Sequence, residues 1–328
     1  MLKNRKTQTL FTKPKTKKKT LFTFIDLFAG IGGTRTAFEK VGGECVFSSE
    51  WDSSCQKTYE ANFGEIPAGD ITGINEKEIP DFDILVAGFP CQPFSTIGKR
   101  QGFLHSTQGT LFYDVLRIIK EKRPVGFLLE NVPGLTNHDS GKTFEIILGA
   151  LNELNYEVRY QILNSVDFGV PQKRKRIYIV GFDKRGVRGE INFQFPKGKS
   201  KKVYIKDFLE KNAEGFGISE YLQKNYIFKK KDGKPEVVDH TSKIQVKTLV
   251  SSYHKIQRLT GTFVKDGKTG LRLFTTGECK AIMGFSPHFI VPVSRTQMYR
   301  QFGNSVVIPV VHAVAKEMIK KAIDIKLI

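Results

Sequence analysis

The sequence predicts an α/β fold: an open sheet of buried strands with helices on both faces, followed by a small, irregular, mostly β unit. Three observations carry this. Short apolar, β-rich runs alternate with amphipathic stretches through the first 183 of the 328 residues, the rhythm of strand–helix–strand units. A cluster of glycines follows directly on the first apolar run, where a strand can turn tightly into a helix. Beyond it the rhythm fails, because residues 184–270 are rich in Lys, Gly, Ser and Thr, and a helical pattern returns only near residue 275.

Taken in order, residues 21–28 read as a short buried strand. Gly30, Ile31, Gly32 and Gly33 then lead into a helix that reaches about residue 41. Residues 45–50 form a second strand, with a helix over 53–62. Residues 83–87 form a third, with a helix around 110–122, and residues 126–130 the next, with a helix around 141–154. Strands follow at about 156–163 and 176–182. In the late region only 202–205 and 245–250 have a strand-like composition. Residues 275–283 are helical again, and 306–323 form an apolar, helix-like C-terminal segment. Residues 1–19 show no periodicity and read as a flexible basic arm. The chain thus divides into an arm (1–19), an α/β body (20–183), a separate unit (184–271) and a return to the body (272–328).

Charge follows the same division. The 52 Lys and Arg against 33 Asp and Glu leave a formal charge of +19. Residues 1–20 hold eight basic and no acidic groups, and 184–270 hold 20 basic and nine acidic, whereas 21–183 are slightly acidic with 16 against 21. That is the pattern of a body with a separate polyanion-binding part; a merely solvated Lys surface is the alternative. A hydrophobic content of 40% excludes wholesale disorder. No run of about 18 apolar residues is present, so no membrane span is expected. The first 20 residues lack the apolar stretch of a secretory signal. Cys45, Cys55, Cys91 and Cys279 are scattered, with no CxxC and no His pair at zinc spacing. A reducing, cytoplasmic protein without a structural metal is the expectation.

Four segments could carry chemistry. Asp26-Leu27-Phe28-Ala29-Gly30-Ile31-Gly32-Gly33 runs a strand into glycines and a helix. In open α/β sheets, ligands bind beyond the carboxyl ends of such strands. Glu50, 24 residues after Asp26, ends the next strand, where a carboxylate can hold a ribose diol. Asp70 follows a further turn, where it could accept from an adenine amine. Arg35 stands where a dinucleotide motif needs its third glycine, which leaves a nucleoside cofactor without a pyrophosphate, or a turn with no ligand. Second, Gly88-Phe89-Pro90-Cys91-Gln92-Pro93 follows the third strand directly, so Cys91 sits on the same sheet edge in a loop stiffened by two prolines. A lone Cys is commonly a small buried hydrophobe, but polar neighbours argue for a reactive thiol here. Third, Glu130-Asn131-Val132 ends an apolar strand. Burial would raise the Glu130 pKa so that it could hold a proton; helix capping by Asn131 is the bland alternative. Fourth, alternation in Gln172-Lys173-Arg174-Lys175-Arg176 points Gln172, Arg174 and Arg176 one way, suiting phosphate or carbonyl oxygens, or else a solvated strand end.

In this order and on one edge, the four segments closely resemble the bacterial cytosine-C5 DNA methyltransferases of restriction–modification systems. The likeness runs from about residue 24 to 308. It extends to Arg272, to Gly284-Phe285 and to Gln301-Phe302-Gly303-Asn304-Ser305-Val306 near the end. It implies a Rossmann-like S-adenosylmethionine-dependent methyltransferase sheet, mixed and mostly parallel. It also implies that the basic late segment, 184–271, is a target recognition domain. Phe28, Gly30, Ile31, Gly32, Glu50, Trp51, Asp70, Ile71, Pro90, Asn304 and Ser305 would surround S-adenosyl-L-methionine. Cys91 would attack C6 of an extruded cytosine, Glu130 would donate to N3, and Arg176 would hold O2, with Arg174 nearby on the base or backbone. The implied partners are double-stranded DNA, bound by a monomer, and a cognate restriction endonuclease acting on the same site without direct contact. One departure is Ile97, which stands where close relatives often carry a small residue near the extruded base. RNA methyltransferases on the same scaffold are the nearest rivals. Their Cys-Phe-Thr signature in the late segment does not occur here.

Overall fold

The computed structural model describes residues 20–90, 111–187, 189–198 and 201–328. Cys91, Ile97 and the basic arm lie outside the described residues.

Six strands build the main sheet: β1 (Phe22–Leu27), β2 (Gly43–Ser49), β3 (Ile84–Ala87), β4 (Gly126–Asn131), β5 (Tyr156–Asn164) and β6 (Lys175–Asp183). Their spatial order is β2-β1-β3-β4-β6-β5. β1 to β4 run parallel, and β6 is antiparallel to both β4 and β5. All six strands predicted from the apolar runs are present, with ends shifted by two residues at most. The reversal of β6 has a functional consequence. It brings the first residues of β6 to the edge where β1, β3 and β4 finish.

The strands are apolar on both sides because helices cover both faces. Side chains alternate, so Phe22, Phe24, Ile84, Val86 and Leu128 join one core with α1 (Gly33–Glu39) and the C-terminal helix α8 (Ile308–Asp324). Ile25, Leu27, Leu85, Phe127 and Leu129 join the other with α3 (Leu111–Lys122) and α4 (Lys142–Glu153). In α3, Val115, Leu116, Ile118 and Ile119 fall at helical spacing and are all buried, each contributing about 1.5–3 kcal/mol. α8 places Val311, Val314 and Met318 in the Phe22 and Phe24 core. Helix ends follow local chemistry. In α2 (Ser53–Phe63), Asp52 caps the start by accepting from the Ser54 and Cys55 amides, and Gly64 ends it at φ 76°. In α6 (Thr276–Met283), Thr275 and Glu278 form a reciprocal capping box and Gly284 ends the helix at φ 80°.

The late region is sparse in regular structure. It holds a one-turn helix, α5 (Glu220–Leu222), and two three-residue parallel strands, β7 (Glu236–Val238) and β8 (Thr262–Val264). The expected strand at 202–205 is absent; a 3-10 turn occupies Ile205–Asp207. The expected strand at 245–250 joins no ladder; it makes one isolated parallel bridge, Gln172 with Val246, and side-chain bonds to the body. Lone extended segments satisfy their backbone through neighbours rather than a ladder, which composition cannot reveal. The helix α7 (Arg295–Asn304) has no clear sequence signal either, because its buried Met298, Tyr299 and Phe302 are diluted among Thr, Gln and Arg. No helix of the described residues is long and apolar enough to cross a membrane.

Candidate active site

The first functional turn begins at the end of β1. Phe28 adopts a left-handed backbone at φ 57°, a conformation that costs a non-glycine residue energy and is often found at functional sites. Two bonds hold the turn to β2: the Ala29 amide donates to the Ser49 carbonyl at 2.9 Å, and the Gly30 amide to Glu50 Oε2 at 2.8 Å. The other Glu50 oxygen accepts from the Asp52 amide at 2.8 Å. Each oxygen keeps one further lone pair for a ligand. Glu50 is buried, and desolvation raises its pKa despite these amides. Gly32 is also left-handed, at φ 79°, and a Cβ there would overlap the Phe63 ring. A Cβ on Gly33 would stand 2.9 Å from Ser305 Oγ. Ser305 therefore abuts the glycine turn, although 272 residues separate it from Gly33. Ile31 is buried in the core behind the turn.

Behind this turn, Asp26 is fully buried. Its Oδ2 accepts from the Arg35 amide at 3.1 Å, and its Oδ1 has no partner among the described residues. Burial pushes its pKa up to about 8. Beside Glu50, the Trp51 ring is 77% exposed. Asp70 is exposed at the start of the turn Ile71–Gly73. Its Oδ1 accepts from the Thr72 amide at 3.0 Å, and its second oxygen has no partner among the described residues. Ile71 is buried, and its carbonyl accepts from Arg117 of α3 at 2.7 Å. The segment before it is tied to β2 by Ser49 Oγ, which donates to the Gly69 carbonyl at 2.9 Å. A buried carboxylate, an exposed indole and a second carboxylate thus lie along one strand end.

The second cluster stands at the ends of β3, β4 and β6. Glu130 and Arg176 form an ion pair, Nε to Oε1 at 3.1 Å, with side chains 16% and 17% exposed. The register explains the pairing. Glu130 lies opposite Tyr178, and Arg176, two residues earlier in β6, shares that face beyond the end of β4. Desolvation raises the Glu130 pKa, opposed by Arg176 and Arg174. A Cβ on Gly88 would lie 3.7 Å from Glu130 Oε2, so the chain passes close to the carboxylate as it leaves β3. Asn131 fixes that passage: Nδ2 donates to the Phe89 carbonyl at 2.9 Å, and Oδ1 accepts from the Val132 amide. Pro90, exposed, is the last described residue before Cys91. The sequence suggests only a helix cap for Asn131. Its partner lies 42 residues away, and only the sheet brings the two together.

Gln172 and Arg174 precede the first residue of β6 and turn inward. Arg174 is 3% exposed. It donates through Nη1 to the Leu249 carbonyl at 3.1 Å, and through Nη2 to the Gly303 and Ser305 carbonyls at 3.1 and 2.7 Å. Gln172 accepts from the Leu249 amide at 2.8 Å and donates to the Ile282 carbonyl at 3.3 Å. Both terminal nitrogens of Arg174 are thus engaged by the protein's own backbone. The structure brings together Glu130 and Arg176, with Gly88 and Phe89 beside them, and separately Gly30, Glu50, Gly33 and Ser305. Asn304 is exposed at the end of α7.

The geometry agrees with what the chain resembles. Residues 22–320 match the family model of C-5 cytosine-specific DNA methylases. Type II methyltransferase M.MspI of Moraxella sp. is 57% identical over 297 residues, covering 90% of this chain and 70% of that protein. M.BsuFI of Bacillus subtilis is 60% identical, covering 90% and 72%. M.HhaI of Haemophilus parahaemolyticus is 42% identical, covering 92% and 95%. Among solved structures, DNMT2 of Spodoptera frugiperda superposes with a TM-score of 0.73 at 23% identity, covering 90% of this chain and 99% of that one. At that identity the likeness shows the fold alone, a Rossmann-like methyltransferase sheet.

Proposed function

This chain belongs to the C-5 cytosine-specific DNA methylase family and is a type II DNA (cytosine-5-)-methyltransferase; from that premise we propose how its residues work and on what. The substrate is a cytosine within one short double-stranded sequence, swung out of the stack at a cost of a few kcal/mol. The observation that carries the reading is the Glu130–Arg176 pair, set against Gly88 and Phe89 where the chain enters Cys91.

S-adenosyl-L-methionine fits the first cluster. Glu50 offers lone pairs to a ribose diol, the Trp51 ring offers a face to adenine, and Asp70 offers an oxygen to its amine. Gly30 leaves open space where a side chain would project, and Ser305 closes the far side of the glycine turn. Phe28, Ile31, Gly32, Ile71, Pro90 and Asn304 complete that set in this reading. When bound, the cofactor supplies the methyl group that C5 accepts.

Cytosine C5 is a weak nucleophile until C6 is attacked. Cys91 makes that bond, and the ring's electrons move toward N3 and C5. Glu130, its pKa raised by burial, delivers a proton to N3. Arg176 steadies O2 while keeping the Glu130 side chain aimed. Arg174 stays behind the pocket and holds the backbone that frames it, rather than reaching the base. Loss of the C5 proton, departure of Cys91 from C6 and return of the N3 proton to Glu130 then restore the ring. A thiol of ordinary pKa is only about 3% ionised at pH 7, so a local activator or a coupled transfer of the thiol proton is needed. Residues 184–271 act as the target recognition domain. The protein works as a monomer in the cytoplasm and protects host DNA from a cognate endonuclease.

The test is methyl transfer from labelled S-adenosyl-L-methionine to unmethylated genomic DNA, followed by bisulfite sequencing, with Cys91→Ser alongside. Methylation at cytosine C5 in one short motif, lost in the variant, is expected. Label on tRNA in place of DNA would overturn the reading.

A further inference from the structure

Another buried arginine lies in the late region, outside the site above. Arg258 is 9% exposed. Its Nε donates to the Ile227 carbonyl at 2.8 Å. Its Nη2 reaches the Lys230 and Lys234 carbonyls at 3.1 and 3.0 Å and the Asp232 carboxylate. One guanidinium therefore gathers residues 227–234 into a closed loop. Lys229, Lys230 and Lys231 stand together on that loop, all exposed, and none has an ion-pair partner among the described residues. Tyr226 and Phe228 beside them are 46% and 47% exposed. Three adjacent ammonium groups repel one another, and a loop fixed around them is prepared for a polyanion rather than for its own acidic side chains.

The loop is also tied to the catalytic body. Arg258 lies nine residues after Leu249, whose carbonyl and amide are held by Arg174 and Gln172. Close to Leu249 in the chain, the Ser251 backbone packs directly on Gly303, leaving no room for a Cβ there. Buried hydrogen bonds fix Leu249 to the pocket edge, and nine residues of chain lead from there to Arg258, which holds the lysine loop.

We infer that Arg258 is a positioning residue that presents Lys229, Lys230 and Lys231 to the phosphate backbone of the duplex. This rests on the reading of the chain as a duplex-DNA methyltransferase. Lysines act as point charges and carry no base code, so the loop supplies affinity and orientation while other residues choose the sequence.

The test uses the full chain and two duplexes, one carrying the motif mapped by bisulfite sequencing and one lacking it, titrated across salt concentrations. For the triple variant Lys229→Ala, Lys230→Ala, Lys231→Ala, the slope of log affinity against log salt should fall in magnitude. The expected fall is about 0.9 for each phosphate no longer neutralised, roughly 2–3 for the three lysines. The methylated motif and cofactor affinity should stay unchanged. Arg258→Ala, with all three lysines present, should lower the slope in the same direction; should it fail to fold, Asp232→Asn, a change at an exposed carboxylate, takes its place. An unchanged slope in the triple variant overturns the phosphate role, and an altered motif replaces it with base reading. A wild-type slope in Arg258→Ala, or in Asp232→Asn as its replacement, overturns the positioning role. Absence of DNA methylation by the wild-type protein would instead sink the parent reading.

Discussion

Glu130 and Asp26 are two carboxyls raised by burial at one sheet edge, with different consequences. Glu130 has Arg176 at 3.1 Å and lies beside Gly88, where the chain leaves β3. Glu130→Gln keeps the shape and removes the acid, so kcat should fall by about 10²–10⁴ while duplex affinity is retained; single-turnover methylation beside a binding assay checks this. Asp26 lies behind the glycine turn, and its proton bears on stability. The native state keeps that proton up to about pH 8, whereas an unfolded chain releases it near pH 4. Its contribution is thus full below about pH 4 and is lost as pH rises toward 8, at about 1.4 kcal/mol per pH unit. Asp26→Asn should flatten that part of the profile, read from urea unfolding between about pH 5 and 8. The candidate status of Glu130 was legible in the sequence, because an acid ends an apolar run. The unpartnered Oδ1 of Asp26 was not, since burial of a strand-end acid depends on what packs over it.

At the scale of elements, the glycine turn is where local chemistry and tertiary contact meet. Gly32 is required by its left-handed backbone and by Phe63 of α2; Gly33 is required by Ser305 and Val306, which follow α7. Gly33→Ala should push α1 and the α7 end apart. The expected cost is about 1–3 kcal/mol of stability, together with weaker S-adenosyl-L-methionine binding; thermal unfolding and calorimetric titration would register both. The turn itself was readable from its glycines. So was α6, whose Thr275 and Glu278 have the spacing of a capping box. α7 was not, because its core-facing residues are too few to raise a helical pattern above its polar neighbours. The strands β7 and β8 are three residues long, and such fragments carry no period to read.

At the scale of the molecule, Arg174 joins three parts of the chain. The carbonyls it holds belong to the late region at Leu249 and to the C-terminal return at Gly303 and Ser305. Arg174→Ala would leave three inward-facing acceptors without donors. Stability should drop by roughly 3–5 kcal/mol, and Arg174→Lys, with one compact ammonium, should recover only part of it; denaturant unfolding of both variants tests this. The same view explains why Arg174 and Arg176, two residues apart, differ so sharply. Arg176 lies in β6 and points past the end of β4. Arg174 precedes the strand and sinks into the junction between body and late region.

The sequence by itself determined the six strands, most of the helices around them and the edge where chemistry could sit. Apolar runs, glycines and caps are local signals, set by backbone geometry and by which side chains leave water. It also determined the family, through motifs in a fixed order. Only the tertiary structure decided that β6 runs backward and so delivers Arg176 to Glu130, that Asn131 anchors Phe89, that Ser305 returns to Gly33, and that Arg174 and Arg258 serve as internal brackets. Each of these is a contact between residues distant along the chain. Such contacts are specified by packing and register, which no short window of sequence contains.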